Sequence, residues 1–310
     1  MSIKKWAIAI HGGITRSNLQ HDIKKIYEEE HMKSYLEEGK SLLKNGNTSL
    51  YVVEKMIIEM ENNDMFNAGK GSVTFRTGSP VVEMDACIMK GSDKRSGTVQ
   101  SIYGVKNPIS IAKRLLIQNN PETYVLSGKG AYQFAKLLQF DLRNDFYFGI
   151  STSTVNYTKK VDWNTENKIN IKDKYREENF GNFGTVGCVC QDIYGNLCAG
   201  TSTGGLVGKI RGRVSDVGIV GAGTYAENGI CAVSCTGIGE KFIQEMVSHN
   251  IACRMKYLKD SLKNSIVKTF ESKNLRKNSG GCIAIDSKYN IEVFDTTNSS
   301  LLYVQDNYQT

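Results

Sequence analysis

Threonine and glycine are concentrated between residues 181 and 240 of this sequence. The runs that contain them read GNFGTVG, GTSTGG, GRVSD, GAGTYA and SCTGIGE. Glycines at this density let a backbone approach a ligand closely and turn N–H groups toward an anion. The interleaved threonines add hydroxyl groups. This part of the chain is therefore a candidate site for binding a small molecule that carries a negative charge.

Arg213 and Asp216 lie three residues apart beside a glycine in this region. Such a pair suits the head group of an amino acid, because a guanidinium binds a carboxylate and a carboxylate binds an ammonium. The alternative is an ion pair at the surface of a glycine-rich hairpin. The spacing alone favours neither of these two interpretations.

Other catalytic motifs match the sequence less well. Residues 200–204 read G-x-S-x-G, but the segment GLVGKIRGR that follows does not favour the helix that a nucleophile elbow needs. Residues 68–72 (AGKGS) lack the residue order of a phosphate-binding Walker loop. We interpret His11 as a structural histidine, because the other three histidines lie in helical stretches without metal-ligand spacing.

The composition is typical of a globular enzyme rather than of a nucleic-acid-binding or membrane protein. Of the 310 residues, 40% are hydrophobic and 23% are charged. The formal net charge is +7, but the basic residues are scattered among acidic ones, which argues against a nucleic-acid partner. No segment approaches the ~20 apolar residues of a membrane helix, so we expect no membrane partner.

The eight cysteines indicate a reducing compartment. None of them forms a C-x-x-C pair, and most lie in apolar runs such as VGCVC and GICAVSC, where cysteine acts as a small buried hydrophobe. The apolar stretch near the N-terminus is too short for the core of a signal peptide. We therefore expect a cytoplasmic protein with reduced thiols.

The periodicity of apolar residues predicts an α+β fold, because strands and helices fall in separate runs. From the N-terminus we predict a strand at 5–10 ending in a turn at the glycines 12–13, two amphipathic helices between 22 and 62, a hairpin at 72–90 turning near 78–80, and helices between 108 and 140. After residue 184 we predict a hairpin at 185–202, a strand at 229–235, a helix at 239–258 and a hairpin at 281–294.

The segment 156–179 interrupts these elements. It carries eleven charged residues and five asparagines, without an apolar period. Such a composition buries too little surface to offset the entropy of ordering the chain. We predict an exposed, mobile linker here, and this linker falls just before Gly184.

These motifs together resemble the isoaspartyl peptidase/L-asparaginase family, the plant-type asparaginases, within the N-terminal nucleophile hydrolases. The resemblance runs through IHGG (10–13), FNAGKGSVTFRTGSPVVEMDACIMKG (66–91), and from GTVG (184–187) to CTGIGE (235–240). It implies a four-layer αββα sandwich formed by a single domain, 1–310. It also implies self-cleavage between Gly184 and Thr185 into an α subunit, 1–184, with the linker at about 156–182, and a β subunit, 185–310. Two such αβ pairs would form a homodimer.

The resemblance implies a threonine nucleophile. Thr185 would attack the carbonyl that precedes it, and water would open the resulting ester. Its freed α-amine, with a reference pKa of about 7.7–8.0, would then act as general base. Thr203 would hydrogen-bond this nucleophile and Asn67 would orient it. Thr236 and the Gly237 N–H would form the oxyanion hole.

Substrate and cation sites follow from the same resemblance. Arg213 would bind the substrate α-carboxylate and Asp216 its α-amine, assisted by the Gly239 carbonyl; Thr236 and Gly237 would also contact the substrate. No catalytic cofactor is expected. A structural sodium ion would be bound by the backbone carbonyls of Met60, Glu61, Asn63, Phe66, Ala68 and Lys70.

The implied substrates are small molecules: β-aspartyl dipeptides and the side-chain amide of L-asparagine. Three segments differ from the family pattern, one of which is the C-terminal DTTNSSLLY (295–303), which follows it only loosely. The chain reads HGGIT instead of HGGAG, and GRVSDVG instead of GRVGDSP, which places Ser215, Val217 and Gly218 beside Asp216. Two alternatives stay open: a glycosylasparaginase-like hydrolase, and a scaffold of the same fold with weakened catalysis.

Overall fold

Two β-sheets contain the strands on which Thr185, Thr203, Thr236 and Gly237 lie. A computed structural model of the chain describes residues 5–15, 19–73, 82–118, 124–148, 182–206, 209–297 and 300–308. In these residues the strands are β1 Ala7–Thr15, β2 Met84–Lys90, β3 Ser96–Ile102, β4 Val125–Ser127, β5 Asn182–Phe183, β6 Thr185–Gln191, β7 Leu197–Thr203, β8 Thr224–Glu227, β9 Cys231–Gly237, β10 Gly280–Asp286, β11 Ile291–Asp295 and β12 Ser300–Asn307. The predicted linker at 156–179 and the predicted turn near 78–80 lie outside the described residues.

The first sheet has the order β12-β1-β6-β7-β2-β3-β4, with β5 paired to β1, and the second has the order β11-β10-β9-β8. Neighbouring strands are antiparallel except β3 and β4, which are parallel. The predicted hairpin at 185–202 is β6 and β7, which pair from Thr185 opposite Thr203 to Gln191 opposite Leu197. This pairing brings the predicted nucleophile next to its predicted partner.

The α-helices of the described residues are α1 Leu19–Lys44, α2 Ser49–Asn62, α3 Pro108–Ile117, α4 Gly128–Leu137, α5 Gly239–Glu245, α6 Val247–Cys253 and α7 Leu262–Phe270. Local signals set several helix starts. The Thr48 hydroxyl accepts a hydrogen bond from the Tyr51 N–H at the start of α2, and α3 begins with a proline, whose fixed φ suits a first turn. No helix in the described ranges is both long and apolar enough to cross a membrane.

The central strands of the first sheet are buried on both faces. Val186 of β6 packs with Met56 of α2 in one apolar cluster, which also contains residues of α1 and α3. Val189 of the same strand packs with Val233 of β9 in a second cluster, together with Phe242 of α5. Helices therefore cover one face of the first sheet, and the second sheet covers the other face.

The α+β class is confirmed, and α1, α2, β6, β7, β9 and the β10–β11 hairpin occupy the predicted regions. Seven of the eight cysteines are buried and Cys253 is partly exposed, which confirms that most of them act as core residues.

The predicted hairpin at 72–90 is wrong in its pairing. The strand at its C-terminal end, β2, pairs with β3 and β7. The chain reverses at 91–95, where Asp93 accepts hydrogen bonds from the backbone N–H and the side chain of Arg95. An aspartate that binds a backbone N–H two residues ahead stabilises a tight turn, and this local signal was missed.

The predicted helix at 239–258 is also wrong, because it is two α-helices followed by a π-helical turn, Arg254–Leu258. The break lies at Met246, which has a left-handed backbone with φ 46°. The backbone N–H groups of Ser248 and His249 bond to the carbonyls of Ala222 and Gly221. These tertiary bonds take the place of helical ones, and no local periodicity reports them.

Candidate active site

Thr185 is the first residue of β6, and its hydroxyl faces the hydroxyl of Thr203 at the end of β7. Thr185 Oγ1 donates to Thr203 Oγ1 at 3.3 Å. The Thr203 hydroxyl also lies 3.5 Å from the carbonyl oxygen of Gly184 and accepts the Gly205 N–H at 2.9 Å. Thr203 therefore contacts both the predicted nucleophile and the carbonyl group that this nucleophile would attack.

Asn67 packs against the same peptide. Its side chain donates to the Gly205 carbonyl at 2.8 Å and accepts the Val73 N–H at 3.0 Å, while its backbone carbonyl accepts the Gly204 N–H at 2.9 Å. A Cβ atom added to Gly184 would lie 3.0 Å from the Asn67 Cβ. Asn67 therefore fixes the loop that follows Thr203 and supports Gly184 from one side.

Gly13 supports the Gly184 peptide from another side. It has φ +102°, and a Cβ atom at this position would lie 2.5 Å from the Gly184 Cα and 3.0 Å from the Thr185 nitrogen. The strand predicted to end in a turn at the glycines instead continues to Thr15, with a shift in register between His11 and Gly13. Glycine at a strand irregularity permits the close approach of two backbones, so the turn prediction is wrong.

Thr236 and Gly237 end strand β9 of the second sheet. Thr236 is 1% exposed, and its Oγ1 has no hydrogen-bond partner in the described part of the chain. Gly237 has φ +150°, and an added Cβ would lie 2.2 Å from the Ser279 carbonyl oxygen. Since a buried hydroxyl without a partner is costly, the free Thr236 hydroxyl is available to a ligand.

Arg213, Asp216 and Gly239 are brought together. An added Cβ on Gly239 would lie 2.6 Å from Asp216 Oδ1 and 3.2 Å from Arg213 Nη2, so only glycine leaves room here. Arg213 donates from Nε and Nη2 to one oxygen of Glu240, at 3.0 and 2.9 Å. The Glu240 side chain is 53% exposed. Sequence analysis missed Glu240 as the partner of Arg213, although it lies in the CTGIGE motif.

Asp216 is a buried carboxyl group with spare capacity for a ligand. It is 3% exposed, and its Oδ2 has no hydrogen-bond partner among the residues that the structure describes. Burial raises the pKa of Asp216 to about 7, and the charge of Arg213 opposes this shift. A cationic group that binds here would restore the charged form of the carboxylate.

Lys209 adds a second cation beside Arg213, and sequence analysis missed it. The Cβ position of Gly205 lies 3.2 Å from both Lys209 Nζ and Arg213 Nη1. Lys209 is 5% exposed, and its ammonium donates to the Glu83 carbonyl. Burial lowers the pKa of Lys209 to about 8, while Asp85 and Glu83 raise it. Two basic side chains, Lys209 and Arg213, therefore lie together where a carboxylate is predicted to bind.

The residues that depart from the family pattern beside Asp216 have partners of their own. Ser215 donates from its N–H at 2.8 Å and its hydroxyl at 2.7 Å to Oδ2 of Asp85, and the other oxygen of Asp85 accepts the Ser101 N–H at 2.7 Å. A Cβ on Gly218 would lie 2.8 Å from the Gln100 Cγ, and Gln100 donates to the Gly218 carbonyl. The loop is thus attached to β2 and β3 by contacts that include a hydroxyl that glycine lacks.

Replacing Ser215 with alanine removes the hydroxyl that binds Asp85. A hydrogen bond to a charged group contributes about 1.5–3 kcal/mol, so we expect a Tm lower by several degrees. A several-fold higher KM for asparagine should follow as the loop that carries Asp216 loosens. Thermal unfolding and initial rates measure these effects, and Ser215→Thr, which keeps the hydroxyl, is the control. A Ser215→Ala protein with unchanged Tm and KM would show that the hydroxyl does not hold this loop.

The loop with the predicted sodium ligands is folded around two glycines. An added Cβ on Gly69 would lie 2.3 Å from the Glu61 carbonyl oxygen, and one on Gly71 would lie 2.1 Å from the Phe66 carbonyl oxygen. The Met60 and Asn63 carbonyls each accept a backbone N–H, at 3.3 and 3.5 Å. A carbonyl oxygen has two lone pairs, so a carbonyl that accepts one N–H keeps capacity to bind a cation.

Comparison with known proteins identifies relatives along nearly the whole chain. Residues 4–310 match the model of a family described as asparaginase. An isoaspartyl peptidase of Escherichia coli is 35% identical, with 93% of this chain and 88% of that protein covered. An isoaspartyl peptidase of Salmonella typhimurium is 34% identical, covering 93% and 91%. A plant-type L-asparaginase of Pyrococcus horikoshii is 33% identical, covering 97% and 96%.

Proposed function

Since the chain belongs to the asparaginase family, we propose that it is a hydrolase that cleaves itself between Gly184 and Thr185 and then uses Thr185 to hydrolyse β-aspartyl amides. The observation that carries this proposal is the geometry at Thr203, whose hydroxyl contacts both the Thr185 hydroxyl and the Gly184 carbonyl oxygen. A nucleophile, the carbonyl group before it and a proton-carrying group thus lie together.

In the proposed self-cleavage, Thr185 Oγ1 forms a bond to the Gly184 carbonyl carbon and passes its proton to the amide nitrogen that leaves. The Thr203 hydroxyl, which accepts from Thr185 Oγ1, would donate its proton to the developing oxyanion on Gly184. The product is an ester between Gly184 and the Thr185 hydroxyl, in which the Thr185 α-amine is already free. Water then adds to this ester, releasing the Gly184 carboxylate and the Thr185 hydroxyl.

In the proposed hydrolysis, the α-amine takes the proton of the Thr185 hydroxyl as this oxygen attacks the substrate amide. Its reference pKa of about 7.7–8.0 suits a general base near neutral pH. Thr236 and the Gly237 N–H would stabilise the oxyanion, which is supported by the free Thr236 hydroxyl. The α-ammonium then gives this proton to the amine that leaves, and water opens the acyl-enzyme.

The substrate would be held by its α-amino and α-carboxylate groups. We assign the carboxylate to Arg213, with Glu240 moving aside into solvent, and the ammonium to the Asp216 carboxylate with the Gly239 carbonyl. L-asparagine and β-aspartyl dipeptides share this head group and differ only beyond the amide. One site can therefore serve both substrates.

The test combines a denaturing gel with product analysis. The purified chain should separate into two fragments, the smaller of which begins TVGCV, and should release ammonia from L-asparagine and a free amino acid from a β-aspartyl dipeptide. Hydrolysis of glycosylated asparagine alone would favour a glycosylasparaginase-like enzyme. A fully processed sample without turnover on any of these substrates would favour a binding scaffold and would refute the proposal.

We also propose a four-layer αββα sandwich that binds a structural sodium ion. The sandwich is supported by the helices on the outer face of the first sheet and by α5 beside the second. The proposed ligands are the backbone carbonyls of Met60, Glu61, Asn63, Phe66, Ala68 and Lys70. The two glycines leave no Cβ against the Glu61 and Phe66 carbonyls, and although the Phe66 carbonyl accepts the Ala68 N–H at 2.9 Å, a carbonyl oxygen has a second lone pair, which supports this fit. The ion would stiffen the loop before Asn67.

The cellular setting and assembly are proposals as well. Eight free thiols, most of them buried, support a cytoplasmic protein. The family resemblance supports a homodimer of processed αβ pairs with the single domain divided at residue 184.

A further inference from the structure

Four buried polar side chains form a hydrogen-bonded layer between the two sheets. His11 Nε2 lies 2.8 Å from Ser234 Oγ, which lies 2.8 Å from Thr201 Oγ1, and Thr224 Oγ1 donates to Thr201 Oγ1 at 2.7 Å. All four residues, His11, Thr201, Thr224 and Ser234, are 0% exposed. We call them the polar layer. The chemistry proposed above uses none of them.

The polar layer lies two residues along the strands from the proposed catalytic residues. Thr201 precedes Thr203 by two positions on β7, and Ser234 precedes Thr236 by two positions on β9. Residues two apart on a strand face the same side at a spacing of about 7 Å. The layer therefore connects β7 and β9, the strands that carry the two proposed catalytic threonines.

Gly187 of β6 makes room for this layer. It pairs with His11 and follows Thr185 by two positions. An added Cβ on Gly187 would lie 2.0 Å from Ser234 Oγ and 2.3 Å from His11 Nε2. The imidazole thus occupies the place where a side chain from the nucleophile strand would otherwise stand, in direct contact with both sheets.

One arrangement of the protons satisfies every hydrogen bond of the layer. Because Thr224 donates to Thr201, the Thr201 proton is available to Ser234, and the Ser234 proton to His11 Nε2. A neutral imidazole that accepts at Nε2 carries its proton on Nδ1. Burial lowers the pKa of His11 to about 3, so the ring stays neutral at working pH.

The Thr185 backbone lies beside the imidazole. The Thr185 backbone raises the pKa of His11, in the direction opposite to burial, as expected for a carbonyl that faces a ring N–H. The contact falls short of full hydrogen-bond geometry, since Nδ1 has no bonded partner in the described ranges of the uncleaved chain.

We propose that His11 is a positioning residue: through the polar layer it holds the Thr185 backbone on the first sheet at a fixed distance from the oxyanion hole on the second. This inference rests on the proposed function, because it assigns His11 to the same nucleophile. Loss of the bridge would leave substrate binding at Arg213 and Asp216 intact, while the reacting atoms lose alignment. A displacement of about 1 Å can lower a rate by about 10²-fold.

The experiment compares variants of His11 and Ser234 in the full chain. His11→Phe removes both ring nitrogens at similar volume. His11→Gln places an amide near Nε2 and can keep the bond to Ser234. Ser234→Ala breaks the bridge without altering His11. Ser265→Ala, which removes a buried hydroxyl with no bonded partner within the described residues of α7, is the matched control.

We expect His11→Phe to slow self-cleavage and to lower kcat for asparagine by about 10²-fold, with KM within threefold of the wild-type value. Ser234→Ala should lower kcat by about tenfold, His11→Gln should be less affected than His11→Phe, and Ser265→Ala should change kcat by less than twofold. The double variant His11→Phe/Ser234→Ala should be no slower than His11→Phe, because the two residues act through one bridge.

Folded variants of both residues with kcat within threefold of the wild type would overturn the positioning role. A fall in kcat that only matches the unfolded fraction measured by circular dichroism would also overturn the positioning role. If His11→Phe does not fold, Ser234→Ala alone decides by its kcat. A wild-type chain without self-cleavage and without hydrolysis would refute the proposed function, whereas an active wild type with active variants refutes only the role of His11.

Discussion

Replacing Thr185 with alanine is expected to leave one uncleaved polypeptide of 310 residues that does not hydrolyse asparagine. The alanine has no oxygen to attack the Gly184 carbonyl, so neither the ester nor the free α-amine can form. Members of a nucleophile–base unit lose activity together, typically by about 10⁴-fold or more. A denaturing gel after prolonged incubation and an ammonia assay measure the two losses.

The matched control is Thr185→Ser, which keeps the hydroxyl and lacks only the methyl group. It should still cleave, more slowly, because a side chain without β-branching has more freedom around χ1. Thr203→Val separates the function of the nucleophile from that of its hydrogen-bond partner. It keeps the Thr185 hydroxyl and removes the Thr203 hydroxyl to which Thr185 is bonded. Two fragments from Thr185→Ala would show that the bond is cut by another group or by a contaminating protease.

Local sequence patterns predicted those parts of the fold that are determined by residues close together in the sequence. The alternation in TVGCVCQDIYGNLCAGTS sufficed for the β6–β7 hairpin, and the apolar periods sufficed for α1 and α2. The helix at 239–258 failed because its break at Met246 is stabilised by backbone bonds to residues 221 and 222. Contacts between distant segments are not encoded in any single window of sequence.

The residues of the candidate site also fall into two groups, those that motifs identify and those that could not be predicted from the sequence. Thr185, Thr203, Arg213, Asp216 and Gly239 could be named from the sequence because their motifs resemble those of a known family. Their roles stay predictions, and the structure adds the distances between them.

Partners that stabilise these residues could not be named. Glu240 pairs with Arg213, and Asp85 binds Ser215 from 130 residues away. Asp85 lies in the predicted hairpin at 72–90, where its charge gives no sign of which loop it holds.

Replacing Asp216 with asparagine is expected to lower kcat/KM for asparagine by about 10²- to 10³-fold, because the substrate ammonium loses a buried carboxylate partner. The pH dependence should change as well. Since the pKa of Asp216 is about 7 in the free protein, protons compete with the substrate ammonium below this pH, and wild-type kcat/KM should fall there. The bound ammonium lowers that pKa, so kcat should retain only the titration of the Thr185 α-amine.

The pH dependence of stability is an independent measure of the charge on Asp216. The pKa of Asp216 is raised above its ordinary value of 3.8, so the folded wild type binds more protons than the unfolded chain between about pH 4 and pH 7. Its stability therefore falls as pH rises through this window. Asp216→Asn lacks this dependence and should have the higher Tm above pH 7, with a difference that shrinks toward pH 4.

The control Glu240→Gln alters an exposed carboxylate that competes for Arg213, so its KM for asparagine should fall or stay unchanged. A wild-type kcat/KM that is flat between pH 5 and pH 7, or an Asp216→Asn protein with wild-type KM, would place the substrate ammonium elsewhere.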